Sequence, residues 1–107
     1  MFVETLTSAT YQRALGTPGL MIVDFWAPGC PPCVALAPVF EQAATRHPGV
    51  RFAKVNAEAE PDVAFEAMIS AVPTLLVYRD GEVIHEELGG LTPTELDALI
   101  RDIQAPD

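Results

Sequence analysis

The sequence predicts an α/β fold: one mixed β-sheet with helices on both faces, its elements in the order βαβαβαββα. Three observations lead there. Apolar residues alternate along the chain between continuous strand-like runs and helical spacing. The pair Asp80-Gly81 lies between the last two strand-like runs and signals a hairpin, so the alternation ends in antiparallel neighbours. The 107 residues, 50% of them hydrophobic, suffice for one core and not for two, which makes 1–107 a single domain.

Val3 to Leu6 is the first strand, and Thr7 or Ser8 can cap a helix through Tyr11 to Leu15 before Gly16-Thr17-Pro18-Gly19 stops it. Leu20 to Trp26 is a nearly continuous β-branched and aromatic run, expected to be buried on both faces, central and parallel. Asp24 is the odd residue in it. After Cys30-Pro31-Pro32-Cys33, the spacing of Leu36, Val39, Phe40, Ala43 and Ala44 is helical, and His47-Pro48-Gly49 ends the pattern. Pro38 lies inside this helix, where its missing N–H and its ring are expected to bend the axis. Arg51 to Val55 is the third strand, with Phe52 and Lys54 on one face and Ala53 and Val55 on the other. Pro61 to Ile69 reads as a short helix, Thr74 to Tyr78 and Glu82 to Leu88 as the hairpin strands. The last helix opens at Thr92-Pro93 with Glu95 placed for a capping box, and turns Leu96, Leu99, Ile100 and Ile103 inward.

Six basic residues against 15 acidic ones give a net charge of −9. Such a chain repels a phosphate backbone, so nucleic acid and anionic membrane surfaces are poor partners, and a self-repelling monomer is expected. The start, Met1-Phe2-Val3-Glu4, lacks the basic and apolar regions of a signal peptide, and Leu20 to Val23 is far too short to span a membrane. A cytoplasmic location is expected, where structural disulfides are rare. The two cysteines therefore call for a chemical explanation. A closed zinc site needs about four ligands, and only His47 and His85, on separate segments, could join them. The acidic stretch Glu58 to Asp62 reads as a solvated loop and helix start, with Asp62 and Glu66 on an exposed face.

Cys30 falls at a helix N-terminus, where free N–H groups and the helix dipole favour thiolate over thiol. Cys33, one turn on, is expected to be more buried. Pro31 and Pro32 carry no N–H, so stabilisation of the Cys30 sulfur has to come from Cys33 onward. The second proline biases Pro31 away from the α region, which predicts a helix start at Pro32. The pair also fits a plain helix-start variant without functional consequence.

Val23-Asp24-Phe25-Trp26-Ala27, then Cys30-Pro31-Pro32-Cys33 leading into Leu36-Ala37-Pro38, resembles the active-site segment of thioredoxins. Ala53-Lys54-Val55-Asn56, Val72-Pro73-Thr74-Leu75-Leu76, Asp80-Gly81-Glu82-Val83 and Gly89-Gly90-Leu91 continue the resemblance to the C-terminus. It implies the thioredoxin fold and a thiol-disulfide oxidoreductase, most simply a reductase of protein disulfides. In it Cys30 is the nucleophile and Cys33 the resolving thiol, the Cys30–Cys33 disulfide closing at the end of each cycle. No cofactor and no metal are implied beyond this redox-active disulfide. By position Asp24 resembles the family's buried proton acceptor for the second cysteine and Lys54 its companion, though a satisfied polar pair in the sheet reads the same way. Pro73 matches the family's cis-proline, which leaves the backbone at Val72 free to pair with an extended substrate. Trp26 and Gly90 resemble rim positions; core packing serves equally for Trp26. Gly29 stands where thioredoxins usually carry tryptophan, and Pro31 where they usually carry glycine. Both departures alter the docking surface of Gly29, Pro31 and Pro32. The partners implied are proteins with disulfides and a reductase, unidentified, as electron donor. A disulfide oxidant or isomerase of the same fold is one alternative, since the residues between the cysteines tune the potential. A non-enzymatic adaptor is another.

Overall fold

The run from Leu20 to Trp26 forms the middle strand, β2, of a five-stranded sheet. The computed structural model describes residues 2–106; Met1 and Asp107, the ends of the expected 1–107 domain, lie outside the described residues. The other strands are β1 (Val3–Thr5), β3 (Arg51–Asn56), β4 (Thr74–Arg79) and β5 (Glu82–Leu88), in the spatial order β1-β3-β2-β4-β5. The helices are α1 (Tyr11–Leu15), α2 (Pro31–Arg46), α3 (Pro61–Glu66) and α4 (Pro93–Gln104). β1 and β2 flank β3 in parallel, whereas β4 is antiparallel to β2 and β5 to β4. β2 is thus central as expected, but parallel on one side only, because the closing hairpin supplies its other neighbour.

The absence of polar alternation in β2 has a direct cause: helices cover both of its faces. Ile22 packs with Leu36 and Phe40 of α2 and Ile100 of α4, and Val23 and Phe25 pack with Tyr11 of α1 and Val63 of α3 on the opposite side. Phe40 and Phe52 meet edge to face, with ring centroids 5.1 Å apart. The Asp80-Gly81 turn has both residues at positive φ, 52° and 86°, the geometry that lets a two-residue hairpin follow the strand twist. A Cβ on Gly81 would stand 2.6 Å from the Leu15 carbonyl oxygen, so the α1 terminus also requires glycine there. α4 carries the full capping box, Thr92 and Glu95 each accepting the other's backbone N–H.

Boundaries differ from the sequence expectation at six places; β1 ends at Thr5, one residue short of Leu6, and β4 runs one residue past Tyr78 to Arg79. α3 stops at Glu66 instead of Ile69, because Met68 takes φ 61° and turns the chain out of the helix. β3 runs one residue further, to Asn56. The N-cap position of α1 is Thr10, not Thr7 or Ser8, and its side chain makes no capping bond; the Thr7 carbonyl accepts the N–H groups of Thr10 and Tyr11, and the Ser8 hydroxyl is drawn across to Glu60 and Asp62. The acidic stretch is therefore tied to the β1–α1 connection and not simply solvated. α2 starts at Pro31, not Pro32: Cys30 is its extended N-cap, and Pro31 already lies in the first turn. The helix continues through Pro38 to Arg46. His47 is half-buried and bonds through Nε2 to Asp97 at 2.8 Å, beside Arg46 on the same carboxylate oxygen at 2.9 Å. His85 bonds Glu87 at 2.9 Å.

Candidate functional site

β2 ends at Trp26, and the loop that follows delivers Cys30 to the first turn of α2. Cys30 and Cys33 are joined as a disulfide with their Cα atoms 5.2 Å apart, inside the range such bonds require. Their environments differ. Cys33 is 3% exposed, while Cys30 stands at the surface end of the pair. The Cys33 N–H donates to the Cys30 sulfur at 3.3 Å. Prolines occupy the two intervening positions, so this is the first amide past Cys30 able to point at that sulfur, as the sequence demands.

The cis Val72–Pro73 peptide lies against the same sulfur: the Val72 carbonyl oxygen is 3.9 Å from Cys30 Sγ. The Pro73 carbonyl accepts the Gly89 N–H at 3.0 Å, which brings Gly90 to the same end of the sheet. Gly90 is exposed, and a Cβ there would meet nothing within 4 Å. Gly29 also faces open space, but at φ +71°. The residue that stands in place of the family's tryptophan thus holds a left-handed turn. Gly29→Ala is expected to lower the stability of the disulfide form by about 1 kcal/mol in urea melts, the size of the left-handed penalty for a residue with a Cβ. An unchanged midpoint would contradict that turn.

Beneath the disulfide is a cavity of about 240 Å³, lined among others by Cys33, Asp24, Trp26, Phe40, Glu41 and Lys54. Asp24 is 4% exposed, its Oδ1 has no hydrogen-bond partner, and the buried Trp26 Nε1 has none either. Burial pushes the Asp24 carboxyl up to about 7, with the Lys54 charge opposing the rise. Asp24 and Lys54 are paired positions across β2 and β3, yet the ion pair Lys54 makes is with Glu41, Nζ to Oε1 at 4.0 Å. Trp26 is half-buried at the cavity wall, between the rim and the core positions open to it. The cavity therefore gathers Asp24, Lys54, Trp26 and Cys33, while Gly29, Pro31, Pro32, Val72 and Gly90 lie outside its lining. Glu41 was not legible as a member. Its signal was present, since Cys33, Ala37 and Glu41 follow at intervals of four along one helix stripe.

Among the described residues no group of three or more His, Cys, Asp or Glu side chains is placed to hold a metal, and no helix is long and apolar enough to cross a membrane. The arrangement is suited to two-electron exchange between sulfurs: an accessible sulfur at a helix N-terminus, a buried one a turn behind it, and a buried carboxyl in the cavity below.

Comparison with known proteins converges on the same chemistry. The family model described as Thioredoxin matches residues 2–103. The thioredoxin of Coprinus comatus is 40% identical over 93 residues, covering 85% of this chain and 87% of its own. Thioredoxin-1 of Schizosaccharomyces pombe is 35% identical over 101 residues, covering 94% and 97%. The crystal structure of the Malassezia sympodialis thioredoxin Mala s 13 superposes with a TM-score of 0.86 at 29% identity, covering 96% of this chain and 91% of that one. The sheet order, the paired cysteines and these matches agree: the chain belongs to the thioredoxin family, disulfide reductases that use their own redox-active disulfide in place of a cofactor.

Proposed function

We propose that Cys30 attacks the disulfide of a protein substrate and that Cys33 resolves the product. The Cys30 thiolate forms a mixed disulfide with one substrate sulfur while the other leaves as a thiolate and takes up a proton. Cys33 then loses its proton to Asp24 and attacks Cys30 Sγ, the substrate sulfur held in the mixed disulfide departs as a thiolate and takes up a proton, and the pair is left as a disulfide with two electrons transferred. A reductase returns those electrons. The observation that carries this order is the asymmetry of the pair: Cys30 is the N-cap whose sulfur accepts the Cys33 N–H, and Cys33 is buried. Helix N–H groups and the dipole favour a thiolate at the first of the two positions.

Asp24 is the proton acceptor in this reading and Lys54 its charge partner, supported by the unpartnered carboxyl oxygen in the cavity that Cys33 also lines. An extended substrate lies along the Val72 backbone beside Pro73, with Trp26, Gly29, Pro31, Pro32 and Gly90 as its surroundings. The low, uncharged rim at Gly29 and Gly90 fits a docking surface without side-chain walls. The chain acts as a single domain and as a monomer, self-repelling at net charge −9, in the cytoplasm, where glutathione and thioredoxin systems keep thiols reduced.

Cys33→Ser tests the order of attack. The reduced variant, given a chromogenic aromatic disulfide, is expected to stop at a stable mixed disulfide on Cys30, read by mass. Continued turnover by the variant would overturn the assignment of Cys33.

A further inference from the structure

Lys54, the single lysine of the chain, stands between two carboxylates. Asp24 neighbours it across the β2–β3 pairing at the closed end of the cavity, and Glu41 approaches it from α2 at 4.0 Å. The side chains of Lys54 and Glu41 are 37% and 48% exposed, so the pair forms the solvent side of the cavity, while Asp24 at 4% is its floor. The titratable groups facing Asp24 can be followed element by element. α2 contributes Cys33 and Glu41 and β3 contributes Lys54; β4 sets Leu75 opposite Asp24, and β2 itself sets Ile22 and Trp26 on the same face. Among the described residues the only cation lining the cavity is therefore the one that Glu41 engages.

The attraction between an ammonium and a carboxylate falls as their separation grows, so a second carboxylate that draws the ammonium away weakens its hold on the first. We propose that Glu41 is a positioning residue for the reduction step: it holds the Lys54 ammonium at the cavity mouth, weakens that ammonium's pull on Asp24, and so keeps Asp24 a better acceptor for the proton that Cys33 gives up. Glu41 touches neither sulfur nor substrate. It acts through Lys54, and the inference rests on the reading of Asp24 as acceptor.

Both side chains are partly exposed, so their replacement leaves the core untouched. In the reduced full chain, carboxyl carbon NMR follows the titration midpoint of Asp24 directly. Glu41→Gln is expected to lower that midpoint by about half a pH unit, the scale of an exposed ion pair. Lys54→Met is expected to raise it. In the Lys54→Met background, Glu41→Gln is expected to produce less than half of its own shift. An unmoved midpoint in Glu41→Gln would overturn the proposal, as would an equal shift in both backgrounds, which would mean direct repulsion of Asp24 without Lys54. The pH profile of product release from a preformed mixed disulfide on Cys30 separates this from the underlying reading. It should move with the Asp24 midpoint. If the midpoint moves and the profile does not, the acceptor role of Asp24 falls while the hold of Glu41 on Lys54 stands.

Discussion

Cys30→Ser is expected to reduce protein disulfides at least about a thousandfold more slowly than the parent chain, because a serine hydroxyl supplies no nucleophile comparable to a thiolate at neutral pH. The loss should be chemical and not structural. Cys30 is the N-cap of α2 and accepts the Cys33 N–H through its side chain, and serine is among the best residues for that role. The variant should therefore melt close to the parent measured in its reduced form, which removes the contribution of the disulfide itself. An insulin-reduction assay beside a thermal melt reads both quantities. A variant that melts normally and retains more than a tenth of the activity would contradict the assignment. The adaptor alternative has a separate signature, since partner binding would survive the substitution unchanged.

Asp24→Asn is expected to stabilise the protein above neutral pH and leave it almost unchanged near pH 4. The sign follows from linkage. Burial raises the folded-state carboxyl from 3.8 to about 7, so the folded chain holds a proton that the unfolded chain has released. The stability this proton represents is complete below the unfolded value and lost as pH rises through the folded one. At about 1.4 kcal/mol per unit, the full difference is about 4 kcal/mol above pH 7, reached only where Asp24 is ionised in the fold. Asparagine has nearly the same shape and no charge to desolvate. Urea melts at pH 8 should show a gain of about 2 to 4 kcal/mol for the variant, and melts at pH 4 a small difference. Destabilisation at pH 8 would mean that the buried carboxylate is well partnered in the fold. The same variant should resolve its mixed disulfide more slowly, stability being gained at the position where the reaction needs a proton acceptor.

What the sequence made legible is what local chemistry determines. The apolar run of β2, interrupted only by Asp24, announced a strand covered on both faces, Asp80-Gly81 announced the hairpin, and Thr92 with Glu95 announced the start of α4; in each case the signal lies within a few residues. The points that escaped depend on chain segments far apart. The Ser8 side chain does not cap α1, being engaged by Glu60 and Asp62 more than fifty positions away, and the N-cap position falls to Thr10, whose hydroxyl makes no capping bond. No glycine or proline marks the end of α3; Met68 adopts the left-handed conformation itself. Pro31 enters the helix although a proline follows it, so the bias imposed by the next ring yields to the requirement that Cys30 occupy the cap. In the site, the cysteines, Asp24, Lys54 and Pro73 were legible by resemblance. The choice of Glu41 over Asp24 as the ion-pair partner of Lys54 was not, because it depends on how α2 lies across the sheet.

The equilibrium of the Cys30–Cys33 pair in graded glutathione or dithiothreitol buffers, read by thiol alkylation and mass, tests the reductase reading most directly. A potential near or below about −270 mV, the value characteristic of thioredoxins, is the predicted result. A potential of about −180 to −120 mV would contradict it and make the protein a disulfide isomerase or oxidant.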